Sequence, residues 1–241
     1  MTSNKLKIKV KNRQSTWGVT FRSKSLPMVE LVAKLGFDYI FLEGEHGVLS
    51  LEDIEEICIV ADGYGISTVA RVPKLDSSTI LQFLDRGVMG IRAPHTSTKE
   101  EAEAFVRYCK FAPEGVRSFS GSRPAEYQKP KDLQAYMASA NNEIMTIAMI
   151  EDEEALRNLP EILQIKELDV VTIGPYDLAQ SMGEAGPDAP RVLDVIQKAV
   201  VQIRNSGKIH ERDFMNRIDV MEIFRNGALD YLRKQKVSSA S

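Results

Sequence analysis

The chain has 241 residues, 43% of them hydrophobic, and its 31 basic and 34 acidic residues leave a net charge of −3. That length and apolar content suit one large domain in the range of an α/β barrel, roughly 250 residues, while the near-neutral charge offers no field to draw nucleic acid or an anionic membrane. Cys58, inside one helical pattern, and Cys109, at the end of another, stand in no disulfide or paired-ligand spacing and read as small buried apolar residues of a reducing compartment.

Met1 to Lys11 is basic and polar with no apolar stretch behind it, and no run approaches the ~18 apolar residues of a membrane span. We expect a cytoplasmic protein with residues 1–13 as an N-terminal extension. Thr16 to Phe21 is the first strand, and Leu26 to Leu35, with Pro27 in its opening turn and Gly36 behind it, the first helix. The second strand, Phe37 to Leu42, empties into the polar loop Glu43-Gly44-Glu45-His46-Gly47, after which Ser50 caps a helix carrying Leu51, Ile54, Ile57, Cys58 and Ala61. Gly63 and Gly65 lead to a third strand, Ser67 to Ala70, that ends at Arg71. Asp76 then caps a helix with Ile80, Phe83 and Leu84 that stops at Gly87. Val88 to Ala93 is a short fourth strand, and Thr98-Lys99-Glu100-Glu101 is a capping box. Pro113 to Gln128 is a long Gly-, Ser- and Arg-bearing loop, a kind that is usually functional. A fifth strand ends at Ile150, a helix covers Ala155 to Ile165, a sixth strand ends at Ile173, and a long helix runs from about Arg191 to Ser206 before Gly207.

Six strand-helix units predict a parallel sheet, and their number favours a closed (β/α)8 barrel of the TIM type over an open doubly wound sheet. Beyond Gly207 a seventh strand, a helix and an eighth strand are expected. Lys208-Ile209-His210 is barely long enough for a strand, and Leu229-Asp230-Tyr231-Leu232 runs into a polar tail, residues 233–241. The expectation is one barrel domain over 1–241 with an atypically short C-terminal end.

Glu43, Glu45, His46, Arg71, His95, Glu151 and Asp177 all follow strand C-termini, where barrel enzymes build their sites. Glu151 ends the apolar run from Ile144, and Asp177 follows Val170 to Ile173 through Gly174-Pro175-Tyr176. A carboxylate at the close of a buried strand is costly to desolvate unless something positive meets it. The two lie about one strand-helix-strand unit apart, which sets their strand ends side by side, and a shared metal ion is the reading we prefer. Helix N-capping competes for both. A structural ion pair competes for Arg71, and a solvated loop position for His46. His95 faces the same side without an identifiable partner, Glu45 is either near the metal or in solvent, and His210 reads as structural. The Gly115 to Arg123 loop either cradles an anion with Arg117 and Arg123 or is a flexible surface loop.

Gly36 to His46 (Gly-Phe-Asp-Tyr-Ile-Phe-Leu-Glu-Gly-Glu-His), Ala70-Arg71-Val72-Pro73, Met149-Ile150-Glu151, and Gly174-Pro175-Tyr176-Asp177-Leu178 with Met182-Gly183 together resemble the HpcH/HpaI aldolase family of class II, metal-dependent pyruvate aldolases. The resemblance covers roughly residues 14 to 208, and its specificity lies in the ordered set of motifs. It implies a barrel of the phosphoenolpyruvate/pyruvate-binding type that assembles as a hexamer or trimer of dimers. It implies that Glu151 and Asp177 bind Mg²⁺, Mn²⁺ or Co²⁺, that His46 serves proton transfer, and that Arg71 holds the substrate's keto oxygen. Backbone amides around Gly174, Pro175, Tyr176 and Asp177 would receive the carboxylate, and Asp85 would reach the histidine of a neighbouring subunit. Three residues depart from the family's usual pattern: Glu43 for Asp, Met149 for Gln, and Tyr176 for a small residue.

The residues suit that chemistry on their own terms. Two carboxylates leave a hard dication with open positions for a chelating 2-oxo acid. Charge that collects on the keto oxygen can be met by the cation and by Arg71. His46, with an ordinary pKa of about 6.5, can move a proton at neutral pH, with Glu43 or Glu45 to orient its ring. No lysine ends a clear strand, which argues against a Schiff base, although Lys74 follows the third closely. The expectation is reversible aldol cleavage of a 4-hydroxy-2-oxo acid to pyruvate and an aldehyde. An acyl-CoA lyase of the malyl or citryl type is the nearest alternative, and a non-catalytic metal-binding relative is another.

Overall fold

In the computed structural model, which describes residues 3–238, the chain forms eight strands: β1 (Thr16–Phe21), β2 (Tyr39–Glu43), β3 (Ser67–Arg71), β4 (Gly90–Ala93), β5 (Met145–Ile150), β6 (Val170–Ile173), β7 (Ile209–His210) and β8 (Met215–Asp219). They make one all-parallel sheet in the order β7-β6-β5-β4-β3-β2-β1-β8. The helices are α1 (Lys5–Lys11), α2 (Leu26–Lys34), α3 (Leu51–Tyr64), α4 (Ser77–Asp85), α5 (Lys99–Cys109), α6 (Leu133–Glu143), α7 (Glu153–Ile162), α8 (Pro175–Ser181), α9 (Pro190–Asn205), α10 (Glu211–Phe214) and α11 (Val220–Ser238). Parallel neighbours need a crossover, and the helices supply it.

Local signals set these boundaries. Ser50 and Asp53 form a reciprocal capping box at the start of α3, and Gly65, at φ +64, ends it in the left-handed region. Thr98 with Glu101 does the same for α5, while the Asp76 and Asp152 side chains cap α4 and α7.

The sheet curls, because Tyr39, Phe41, Val69, Met145, Val170 and Met215, from β2, β3, β5, β6 and β8, share one buried cluster on one face. A second, larger core lies between the other face and the helices. Among the described residues no backbone ladder joins β7 to β8. Side chains bridge that interval instead. Glu211, which opens α10, binds Arg92 of β4, accepts from Arg217 of β8 at 2.9 Å, and takes the Thr172 hydroxyl of β6 at 2.7 Å. The alternating parallel architecture is thus present, as a curled, barrel-like sheet whose last crossover is one helical turn.

Several expectations are corrected here. The N-terminal extension holds a helix: Asn4 caps α1, and Leu6 and Val10, one turn apart among lysines, bury themselves under the sheet. The polar helix α6 carries too weak an apolar face to be seen in the sequence. The eighth strand is Met215–Asp219, which the sequence hides because Arg217 and Asp219 interrupt its apolar pattern. Leu229-Asp230-Tyr231-Leu232 lies inside α11, which continues through much of the expected tail. Residues 1–2 of the extension and 239–241 of the tail lie outside the described residues. The loop after α5 is no anion cradle: Arg117 binds Asp85 at 3.1 Å and stacks on Phe111, and Arg123 binds Asp62 at 2.6 Å and the Arg86 carbonyl at 3.0 Å. Among the described residues no helix is long and apolar enough to cross a membrane.

Candidate active site at the strand ends

Glu43 and Arg71 close β2 and β3 and stand opposite each other in the ladder. Arg71 Nε lies 2.9 and 3.0 Å from the two carboxylate oxygens of Glu43, Nη2 donates to Oε2 at 2.7 Å, and Nη1 reaches Glu45 Oε2 at 2.8 Å. A buried guanidinium held by two carboxylates uses the planar fork that lysine lacks. Burial pushes the Glu43 carboxyl up. Arg71 and the backbone N–H groups of His46 and Glu45 outweigh it and hold the group below its ordinary value. Gly47 makes this tight loop possible, since a Cβ there would sit 2.1 Å from the Glu43 carbonyl oxygen.

Glu43 therefore faces Arg71 and not the His46 ring; from His46 it takes the backbone N–H alone, at 3.2 Å. Glu45 is the acid beside that ring, 3.8 Å from Nε2, and the His46 side chain is 63% exposed.

Glu151 follows β5 and is only 2% exposed. Its Oε1 accepts the His95 backbone N–H at 2.6 Å, whereas Oε2 is buried without any hydrogen-bond partner. Burial drives the carboxyl upward against the His95 contacts, and the charges of Asp177 and Glu45 add to the rise. Asp152, not Glu151, caps α7, accepting from the Ala155 N–H at 2.6 Å, so capping does not account for Glu151. Asp177 lies in the first turn of α8, half-buried, near enough for its charge to act on Glu151.

Gly174 keeps the space beside Glu151 open. A Cβ there would sit 2.5 Å from Glu151 Oε2 and 2.7 Å from the Met149 methyl. Its N–H is committed to the Ile150 carbonyl at 2.9 Å and Pro175 has none, which leaves the first-turn N–H groups of Tyr176 and Asp177 to meet a ligand. The Tyr176 side chain stands 74% exposed at the rim.

His95, unassigned from the sequence, joins the cluster. Its Nδ1 is 3.2 Å from Glu151 Oε1 and its Nε2 is 3.3 Å from Glu45 Oε1. Its place directly after β4 is the signal the sequence carries; in the structure its backbone is left-handed, φ +47. Asp85 stays apart. It ends α4, which runs back to the start of β4, so it lies at the opposite end of the sheet and binds Arg117 there. Lys74 is exposed and 3.9 Å from Asp76, while buried Lys7 and Lys110 donate to the Ile144 carbonyl at the far end of the sheet.

Among the described residues no three His, Cys, Asp or Glu side chains are arranged to hold a metal ion unaided. The Glu151–Asp177 pair offers two carboxylates and open positions. A buried carboxylate oxygen with no donor, beside a glycine and within the field of a second carboxylate, suits a hard dication with oxygen ligands.

A family model described as HpcH/HpaI aldolase/citrate lyase matches residues 18–230. A 4-hydroxy-2-oxo-heptane-1,7-dioate aldolase from Escherichia coli is 34% identical over 206 residues, covering 85% of this chain and 78% of that protein. A 4-hydroxy-2-oxovalerate aldolase from Rhodococcus jostii (strain RHA1) is 32% identical over 181 residues, 74% of this chain and 69% of that one. In three dimensions the chain is similar to the crystal structure of an HpcH/HpaI aldolase from Desulfitobacterium hafniense DCB-2, with a TM-score of 0.86 and 96% of each chain covered at 23% identity.

Proposed function

The chain belongs to the HpcH/HpaI aldolase/citrate lyase family, and from that membership we propose that it is a class II pyruvate aldolase, a carbon–carbon lyase that reversibly cleaves a 4-hydroxy-2-oxo acid to pyruvate and an aldehyde. The observation that carries the reading is the unpartnered, buried Oε2 of Glu151 beside Gly174. Glu151 and Asp177 would hold a divalent cation, Mg²⁺, Mn²⁺ or Co²⁺. When bound, that ion polarises the keto group of the 2-oxo acid.

The remaining work falls to the chain's own residues. Arg71 spends part of its five N–H donors on Glu43 and Glu45 and keeps one hydrogen on each terminal nitrogen. These can donate to the keto oxygen as charge gathers there during C3–C4 cleavage. Glu43 and Glu45 fix the guanidinium in place, so it need not reorganise as the bond breaks. The N–H groups of Tyr176 and Asp177 receive the carboxylate end. His46, exposed beside Glu45, carries the proton between C3 of pyruvate and solvent.

The fold is read as a single (β/α)8 barrel domain of the phosphoenolpyruvate/pyruvate-binding type, closed at its short C-terminal end by Glu211. The protein is read as a cytoplasmic hexamer. Asp85 can serve a site only in a neighbouring copy, because in its own chain it lies at the far end of the sheet.

A coupled pyruvate-release assay with 4-hydroxy-2-oxo-heptane-1,7-dioate and 4-hydroxy-2-oxovalerate, in Mg²⁺ or Mn²⁺ and again in EDTA, tests the reading. Metal-dependent pyruvate release is expected. Protein that binds pyruvate yet releases none from either acid would favour a non-catalytic relative.

A further inference from the structure

We propose that His95 is the positioning residue that prepares Glu151 for the cation and ties that ligand to Arg71; the proposal rests on the metal-dependent reading above. His95 follows β4, between the strand that ends in Arg71 and the strand that leads to Glu151. It holds a left-handed backbone, φ +47, which is uncommon for residues with side chains although histidine adopts it more often than most.

Two contacts result on one oxygen. The His95 N–H donates to Glu151 Oε1 at 2.6 Å and Nδ1 stands 3.2 Å from the same atom. Oε1 is thereby occupied, and the electron pairs of Oε2 alone are left free in a buried place. A carboxylate so fixed presents one oxygen in one direction, the task that groups bonded to metal ligands perform.

The other ring nitrogen extends the connection. Nε2 lies 3.3 Å from Glu45 Oε1, and the second oxygen of Glu45 holds Arg71 Nη1 at 2.8 Å. Glu151, His95, Glu45, Arg71 and Glu43 thus form one continuous chain of contacts. It runs from the cation's ligand to the guanidinium that meets the keto oxygen, so displacement at one end is felt at the other. The imidazole is 62% exposed, so burial does not explain its placement; its two carboxylate contacts do.

The test is calorimetric titration of Mn²⁺ into the full chain, alongside thermal unfolding in EDTA, for wild type, His95→Gly, His95→Asn and Glu151→Gln. Glycine keeps the backbone N–H and favours the left-handed conformation but removes the ring. His95→Gly is expected to weaken Mn²⁺ about 10- to 100-fold with an unchanged or higher Tm in EDTA. Asparagine tolerates this backbone and places a polar amide where the ring edge meets Glu151, so His95→Asn is expected to recover most of the affinity. It cannot span to Glu45, so its KM for the 2-oxo acid at saturating Mn²⁺ is expected to exceed that of wild type. Equal Mn²⁺ affinity in wild type and His95→Gly, with Glu151→Gln binding lost, overturns the role of His95 and leaves the metal reading standing. A Tm in EDTA that falls in step with affinity assigns the ring a structural role and also overturns the proposal. If wild type and Glu151→Gln bind Mn²⁺ alike, the metal reading fails and this proposal with it.

Discussion

Gly174 and Glu151 are so close that a single methyl group on the glycine would come within 2.5 Å of the carboxylate oxygen that has no partner. The missing side chain at the start of α8 and the free oxygen at the end of β5 thus define one small space, the one that the proposed cation and 2-oxo acid would share.

Gly174→Ala should fill that space. Its φ of −91° is open to alanine, so the fold should survive and the damage should fall on the site. We expect kcat/KM for pyruvate release to drop about 100-fold, the scale of an ångström-sized misplacement in an active site, with a modestly lower Tm because the added methyl would also sit 2.8 Å from Glu151 Cβ. Undiminished turnover would place the substrate elsewhere.

Glu151→Gln should separate stability from activity. Burial raises the Glu151 carboxyl above its unfolded value, so the group's contribution is full below about pH 4.3 and is lost as pH rises through the folded pKa. Above that folded pKa the metal-free protein bears a buried charge that glutamine lacks. In EDTA the Tm of the variant should fall less than that of wild type as pH rises above about 4.3, and the variant should show no turnover. A steeper fall in the variant would argue that the charge is already compensated.

Asp169→Asn should alter the acid limb instead. Burial raises this carboxyl, but Lys7, 2.9 Å away, and the Thr146 N–H outweigh it and hold it below its ordinary value. Its contribution is present above about pH 3.9 and is lost as pH falls through the folded pKa. The variant should lose about 3 kcal/mol near neutrality, the cost of breaking a buried pair, and show a shallower decline in stability below pH 4. Denaturant unfolding at several pH values measures both.

Glu211→Gln tests how the sheet is closed. It strips the shared counter-charge from Arg92, whose Nε is already unpartnered, and from Arg217. We expect a loss of about 3 kcal/mol, with faster amide exchange in β7 and β8 than in β2 to β5. Uniform exchange across all strands would mean that the interval is held by something else.

Much of this was legible in the sequence for a physical reason. Strands such as Val170–Ile173 are short apolar runs bounded by polar turns, and the Ser50 and Thr98 caps leave fixed signatures. Glu43, Arg71, Glu151 and Asp177 were visible because charge at the end of an apolar run is conspicuous. What stayed hidden depends on contacts between distant segments. Leu6 and Val10 look like scattered apolar residues until they meet Tyr39 and Met215, and β8 earns its place through Arg217 and Asp219, which read as surface residues in isolation. His95 had no identifiable partner because both of its partners, Glu45 and Glu151, lie on other strands' loops.

The most direct test follows the C3 protons of pyruvate in D₂O by NMR, without any aldehyde, in Mg²⁺ and in EDTA. The account predicts exchange by wild type in Mg²⁺, little in EDTA, slower exchange by His46→Ala, and none by Asp177→Ala. Full exchange by Asp177→Ala, or equal wild-type rates with and without the ion, would contradict it.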